Sequence, residues 1–151
     1  MRPGLHDTIE APKNTRNFHI ERGQSLAPTS PKARYDANVA AIRKMQELME
    51  RGAEATPADK KILAKFSGWG GLGAFLNDYD SKTQLQNLLG ADGYEQAAMS
   101  ANSAFYTPAG VIDTLWDVAK RLGFKGGNVL EGSAGIGDIV GHMPTDMSQR
   151  S

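Results

Sequence analysis

Apolar residues recur along this chain mostly at the three-to-four spacing of helices, with very little of the alternation that marks half-buried strands. From about Tyr35 to Arg51, Val39, Ile42, Met45 or Gln46, and Met49 fall on one face, charged residues occupy the other, and Gly52 offers a left-handed stop. A helix is predicted there. Thr56-Pro57-Ala58-Asp59 predicts the start of a second, because Thr56 can accept free backbone N–H groups, Pro57 suits the first helical position and Asp59 suits the positive end. Ile62, Leu63 and Phe66 give its buried stripe, so the two helices form an antiparallel hairpin. Weaker helices are predicted from Lys82 to Leu89 and from Ala91 to Met99, separated by Gly90.

A further helix is predicted with Thr107 as its cap and Pro108 as its first residue. Val111, Ile112, Leu115, Ala119 and Leu122 form its buried face, and Gly123 ends it. After Gly126-Gly127, the run Asn128-Val129-Leu130-Glu131 predicts a short buried strand. Gly132-Ser133-Ala134-Gly135-Ile136-Gly137 then predicts a glycine loop opening into Asp138-Ile139-Val140. The expected fold class is therefore mainly α, a helical region followed by the first strand and glycine loop of an incomplete Rossmann-like domain. The expected division is a mobile leader over 1–31, a helical region over 32–103 and the start of the second domain over 104–151. The leader carries Pro3, Pro12, Pro28 and Pro31 among small polar residues; the alternative for its NFHIERG stretch is a short strand or a segment docked on the body.

Charge and composition narrow the partners only by exclusion. Lys+Arg and Asp+Glu stand at 17 each, so overall charge argues for neither a nucleic acid nor a membrane surface. The hairpin alone is locally basic, through Lys32, Arg34, Arg43, Lys44, Arg51, Lys60, Lys61 and Lys65. Such a face either meets phosphate or is a solvated surface interleaved with Glu47, Glu50 and Asp59. The absence of cysteine excludes disulfides, thiolate zinc sites and cysteine nucleophiles, and the three histidines are scattered. No metal site is expected. No apolar run approaches the roughly 20 residues of a membrane span, and the first residues lack the apolar core of a secretory signal. A cytoplasmic protein with no membrane partner is expected.

Two segments carry candidate chemistry. Ser67-Gly68-Trp69-Gly70-Gly71-Leu72-Gly73 sets a tryptophan among four glycines, a composition that neither helix nor strand favours. Trp69 either stacks on a nucleic-acid base or anchors a tight connector in the core. The second segment is the strand, acid and glycine loop, an order that makes the crevice in which open α/β sheets hold nucleosides. The Gly-x-Gly alone is a weak signal, and its spacing departs from the full dinucleotide pattern.

Phe105-Tyr106-Thr107-Pro108, paired with an acid-x-x-x-Gly-x-Gly loop about 25 residues later, resembles the cofactor motifs of amino-methyltransferases acting on adenine in DNA. Tyr35 to Ile42, Phe66 to Leu72, Leu122 to Gly127 and Met143-Pro144 further resemble the front of large methyltransferase–helicase proteins of phages, plasmids and conjugative elements, of the antirestriction type. The resemblance runs from about Asn17 to Ser151. It implies S-adenosylmethionine as cofactor and DNA as partner of the whole protein. By the same resemblance, Tyr106, Thr107 and Pro108 line the methionine end, Glu131 bonds its amino group, and Gly132, Gly135 and Gly137 admit the ligand. The family usually has proline where this chain has Gly132. No catalytic residue is expected, because the second-strand acid for the ribose and the Asn/Asp-Pro-Pro-aromatic motif that reads adenine do not occur. The chain is expected to be a fragment ending just after the glycine loop, inactive alone and binding the cofactor weakly or not at all. The alternative is a stand-alone helical module that binds protein or nucleic acid, with a defence or mobile-element protein as partner and an anti-defence role.

Overall fold

Ser30 and Pro31 open the first helix, α1 (Pro31–Arg51), one turn earlier than the apolar pattern alone indicates: the Ser30 hydroxyl accepts the Ala33 N–H and Pro31 takes the first helical position. Gly52, in the left-handed region, ends it. The computed structural model describes residues 18–104, 106–132 and 135–148. The expected leader residues 1–17, and Phe105, Ser133 and Ala134 of the two cofactor motifs, lie outside these.

Thr56 caps α2 (Pro57–Leu63) as its position before Pro57 predicts, and Asp59 accepts the Thr56 N–H in return, completing a capping box not expected from the sequence. A short helix not anticipated from the pattern, α3 (Gly73–Asn77), follows the tryptophan loop. The two weak helices expected either side of Gly90 are longer than predicted and nearly continuous as α4 (Tyr79–Ser103), broken only where Gly90 adopts φ 75° and ψ 173°. Asp78 caps α4 by accepting the Ser81 N–H. The larger core lies between α1, α3 and both arms of α4: Tyr35, Val39, Ile42, Trp69, Leu72, Leu76, Leu85 and Tyr94 are all buried in it. Truncating a fully enclosed leucine such as Leu72 or Leu85 to alanine costs about 2–5 kcal/mol in such a setting.

A smaller core closes the C-terminal part. α5 (Ala109–Arg121) packs Ile112 and Trp116 against Met143 and Met147, carried by or next to the short helices α6 (Asp138–Gly141) and α7 (Thr145–Ser148). The Trp116 Nε1–H donates to the Ile139 carbonyl at 2.8 Å. Three expectations for this part change. Pro108 is extended and sits at the cap position, so Thr107 lies one residue too early to cap, and no side chain caps α5. The helix turns Ile112, Asp113 and Trp116 inward and leaves Val111 (50% exposed), Leu115 (53%) and Leu122 (84%) outward, since no second layer covers them among the described residues. The segment Asn128 to Glu131 is not a strand; among the described residues no extended neighbour exists to pair its backbone, and Leu130 is 97% exposed. The fold is mainly helical, and no described helix is long and apolar enough to cross a membrane.

Candidate functional site

The tryptophan loop is held from both sides. On the α1 side, the fully enclosed Asn38 donates from Nδ2 to the Gly68 carbonyl (2.7 Å) and accepts the Ser67 N–H at Oδ1 (2.8 Å). Arg34 donates to the Ser67 hydroxyl and, at 2.9 Å, to the Gly70 carbonyl. On the other side, the Gly71 N–H donates to the Ala101 carbonyl at the end of α4. Trp69 is 6% exposed and packs between Tyr35 and Phe66, with ring centroids 6.3 and 6.1 Å away. Its indole is part of the core, and it also forms one wall of an apolar cavity of about 550 Å³ between α1 and α4.

Glycine at position 68 has two reasons. Its φ is 65°, in the region that penalises a side chain, and a Cβ there would overlap the Tyr106 hydroxyl and come within 2.6 Å of the ring carbon bearing it. At Gly70 a Cβ would meet the Ala104 carbonyl oxygen at 2.5 Å. The two motifs that stand 38 residues apart in the chain, Gly68 and Tyr106, therefore form one joint. Thr107 and Pro108 continue from it at the surface into α5.

The C-terminal unit is built around Asp113. One carboxylate oxygen accepts the Gly23 N–H at 2.7 Å, and the other lies 3.0 Å from Nδ1 of the buried His142. Burial alone would raise the Asp113 carboxyl, but the Gly23 N–H, the His142 bond and the charges of His142 and Arg22 outweigh it and hold the group below the usual carboxylate range. Arg22 makes a bidentate pair with Asp117, at 2.8 and 2.6 Å, which lowers the Asp117 carboxyl in turn. The Ile20 N–H donates to the Gly141 carbonyl, and the Ile20 side chain fills the place that a Cβ on Gly141 would take. Residues 18–24, placed within the leader by composition, are thus docked on α5 and α6. Asp113, His142, Asn38 and Ile20 were not singled out from the sequence as functional. A polar residue on each apolar helix face, Asn38 on α1 and Asp113 on α5, was the available signal.

The glycine loop lies against this docked segment. Gly135 and Gly137 have φ of 54° and 85°, Gly132 is exposed with open space around it, and Glu131 is half-buried. Asp138, just after the loop, is raised by burial, with the His142 charge opposing. Between the loop and the first turn of α5, a space of about 30 Å³ is lined by Ile136, Asp138 and Ala109 on one side and by Gln24 to Ala27, Ala64 and Phe66 on the other. A second space of about 270 Å³, beside Gly137, is lined by Phe18 and Ile20 and by Lys60, Leu63 and Ala64 at the end of α2. Sites for ligands of nucleoside size run to roughly 300–1,000 Å³. Both spaces, as bounded by the described residues, fall below that range.

The basic hairpin is a mixed surface. Lys32 pairs with Asp36, Lys44 with Glu47 and Asp59, and Arg51 with Glu47.

Comparison with known proteins adds one relation. A stretch of 104 residues is 30% identical to Defense against restriction protein B of Escherichia phage P1. The chain resembles a phage antirestriction protein. The aligned stretch is 69% of this chain but 3% of that protein, so the chain corresponds to a small part of a far longer relative. No protein-family profile matches the chain, and no solved structure does.

Proposed function

We propose that this chain serves in defence against restriction, as a helical module that acts by binding a protein of the host defence rather than by chemistry of its own. The observation that carries this reading is the likeness to the phage protein, over a stretch long enough to include most of the helical body. The helical body suits the role. Its apolar core joins α1, α3 and α4, and its tryptophan loop is tied down by Asn38 and Arg34. A protein partner is favoured over DNA because the relative is described by defence against restriction, and a net charge of zero gives the chain no general pull toward phosphate. Immobilised chain is to be offered purified restriction endonuclease complexes and, separately, duplex DNA. Retention of an endonuclease and not of DNA is expected; retention of DNA alone would overturn the choice of partner.

A second reading is favoured by one specific feature, the exposure of the apolar residues Val111, Leu115, Val118 and Leu122 on α5 and of Val129 and Leu130 after it in the chain. A helix with an uncovered apolar stripe, followed by an exposed apolar segment, suits the first layer of a parallel sheet. On this reading the chain is the amino-terminal part of an S-adenosylmethionine-dependent DNA adenine methyltransferase, which transfers methyl to the exocyclic amino group, and DNA is the partner of the whole protein. The chain by itself then transfers no methyl group. Labelled methyl appearing in DNA after incubation with the purified chain would contradict it.

A further inference from the structure

We propose that two copies of the chain associate by a reciprocal exchange, in which α5 of each copy seats its outward apolar stripe in the hollow between α1 and α4 of the other.

Each copy carries both halves of this contact, uncovered. The hollow of about 550 Å³ has Ile42 and Met45 of α1 on one side, the arm of α4 beyond Gly90 on the other, and Phe66 and Trp69 in its wall. Its origin is local. Gln46 ties α1 to the Leu88 carbonyl just before the kink, and Gly90 then breaks the course of the helix. Beyond the kink, apart from the exposed Gln96, α4 lines the hollow with Gly93, Ala97 and Ser100, side chains too small to fill it. Small residues on a helix wall let a second helix come close.

The stripe on α5 has the complementary form. Val111, Leu115, Val118 and Leu122 follow one another at steps of four, three and four residues, the spacing with which one helix seats along another. The first three are about half exposed and Leu122 nearly fully so. Leu115 to Leu122 spans about 10 Å of helix, the same as Gly93 to Ser100 on the wall of the hollow. The inner face of α5 is committed to Met143 and Met147 through Ile112 and Trp116, and stripe and hollow both stay open within one chain, so they meet only between chains.

A specific interface needs roughly 1,000 Å² in total, more than four side chains in one hollow supply, and a two-fold dimer makes the same contact twice. An association near that lower size limit is transient. In dilute solution the copies separate and each stripe is uncovered.

The test compares the 151-residue chain with Leu115→Glu on the stripe and Met45→Lys on the hollow, two positions about half exposed in the single chain. Sedimentation equilibrium follows each alone and the equimolar mixture of the two variants, and circular dichroism establishes that each is folded. At roughly 100 μM, where a contact of this size is populated, the intact chain should form a dimer that dissociates on dilution. Each variant alone should associate at least about tenfold more weakly, because both contacts of its dimer then bury an unpaired charge. The mixture should recover the dimer. In a mixed pair one contact is unaltered, and the other sets the introduced carboxylate against the introduced amine. A monomer at every concentration would overturn the proposal. Weakening by Leu115→Glu but not by Met45→Lys would overturn the hollow as the seat, and failure of the mixture to recover, or assembly beyond a dimer, would overturn the reciprocal exchange.

Discussion

The Tyr106 hydroxyl stands where a side chain on Gly68 would have to go, and the two residues are consequently specified together. Gly68→Ala should destabilise the chain by about 1–3 kcal/mol, through overpacking against the ring added to the strain of a positive φ. Tyr106→Ala removes the obstacle, so the double variant should lose clearly less than the sum of the two single losses. Urea unfolding of the four chains measures this. Strict additivity would mean that the ring and the loop are not in contact.

Asn38 is enclosed with both ends of its amide in use, on the Ser67 N–H and the Gly68 carbonyl. Asn38→Ala strands a backbone donor and a backbone acceptor in the interior, at a cost of about 2–4 kcal/mol. The fall in the urea midpoint should be accompanied by a change in Trp69 fluorescence under native conditions, as the loop loosens. A loss below about 0.5 kcal/mol, the range of ordinary surface changes, would contradict the bridging role.

The small core depends on acid in a definite direction. Asp113 is held below its ordinary carboxylate value in the folded chain, so the folded state binds its proton less readily than the unfolded state does. Its contribution is then fully present above the unfolded value, near 3.9, and is lost as pH falls through the lower folded value. The groups facing it are His142, Arg22 and the Gly23 N–H. In urea titrations between neutral pH and pH 3, the unaltered chain should lose stability more steeply below about pH 4 than Asp113→Asn does. Parallel curves would show that the contacts to Asp113 carry no charge dependence.

Much of the helical body was legible from spacing and caps. The Thr56 cap before Pro57 and the Gly52 stop are local signals that the structure repeats. Periodicity could not say which of two apolar stripes on α5 would be covered. Val111, Leu115 and Leu122 mark one and Ile112, Trp116 and Ala119 the other, and only the second meets α6 and α7. The strand expected over Asn128 to Glu131 failed for the same reason, since pairing is supplied by a neighbour and not by the segment itself. The joint between Gly68 and Tyr106 leaves no local signature in the sequence, because it is a contact across the fold.

That choice of stripe is itself testable. Leu115→Ser and Leu122→Ser, on the outward face, should each change stability by no more than about 0.5 kcal/mol, whereas Ile112→Ala should cost about 2–5 kcal/mol. Denaturant midpoints decide the matter. Equal losses on both faces would mean that α5 is covered on its outer side as well.

The central claim is an anti-defence role exercised by binding, and survival under restriction tests it most directly. Unmodified phage is to be plated on a restricting host and on its non-restricting counterpart, with the chain, the Asn38→Ala variant or nothing supplied. The account predicts that the intact chain raises plating on the restricting host toward the non-restricting level, that the loosened variant protects less, and that DNA from the survivors' first round carries no methylation added by the chain. Plating that stays at the fully restricted level, with intact and folded chain present in the cells, would contradict it.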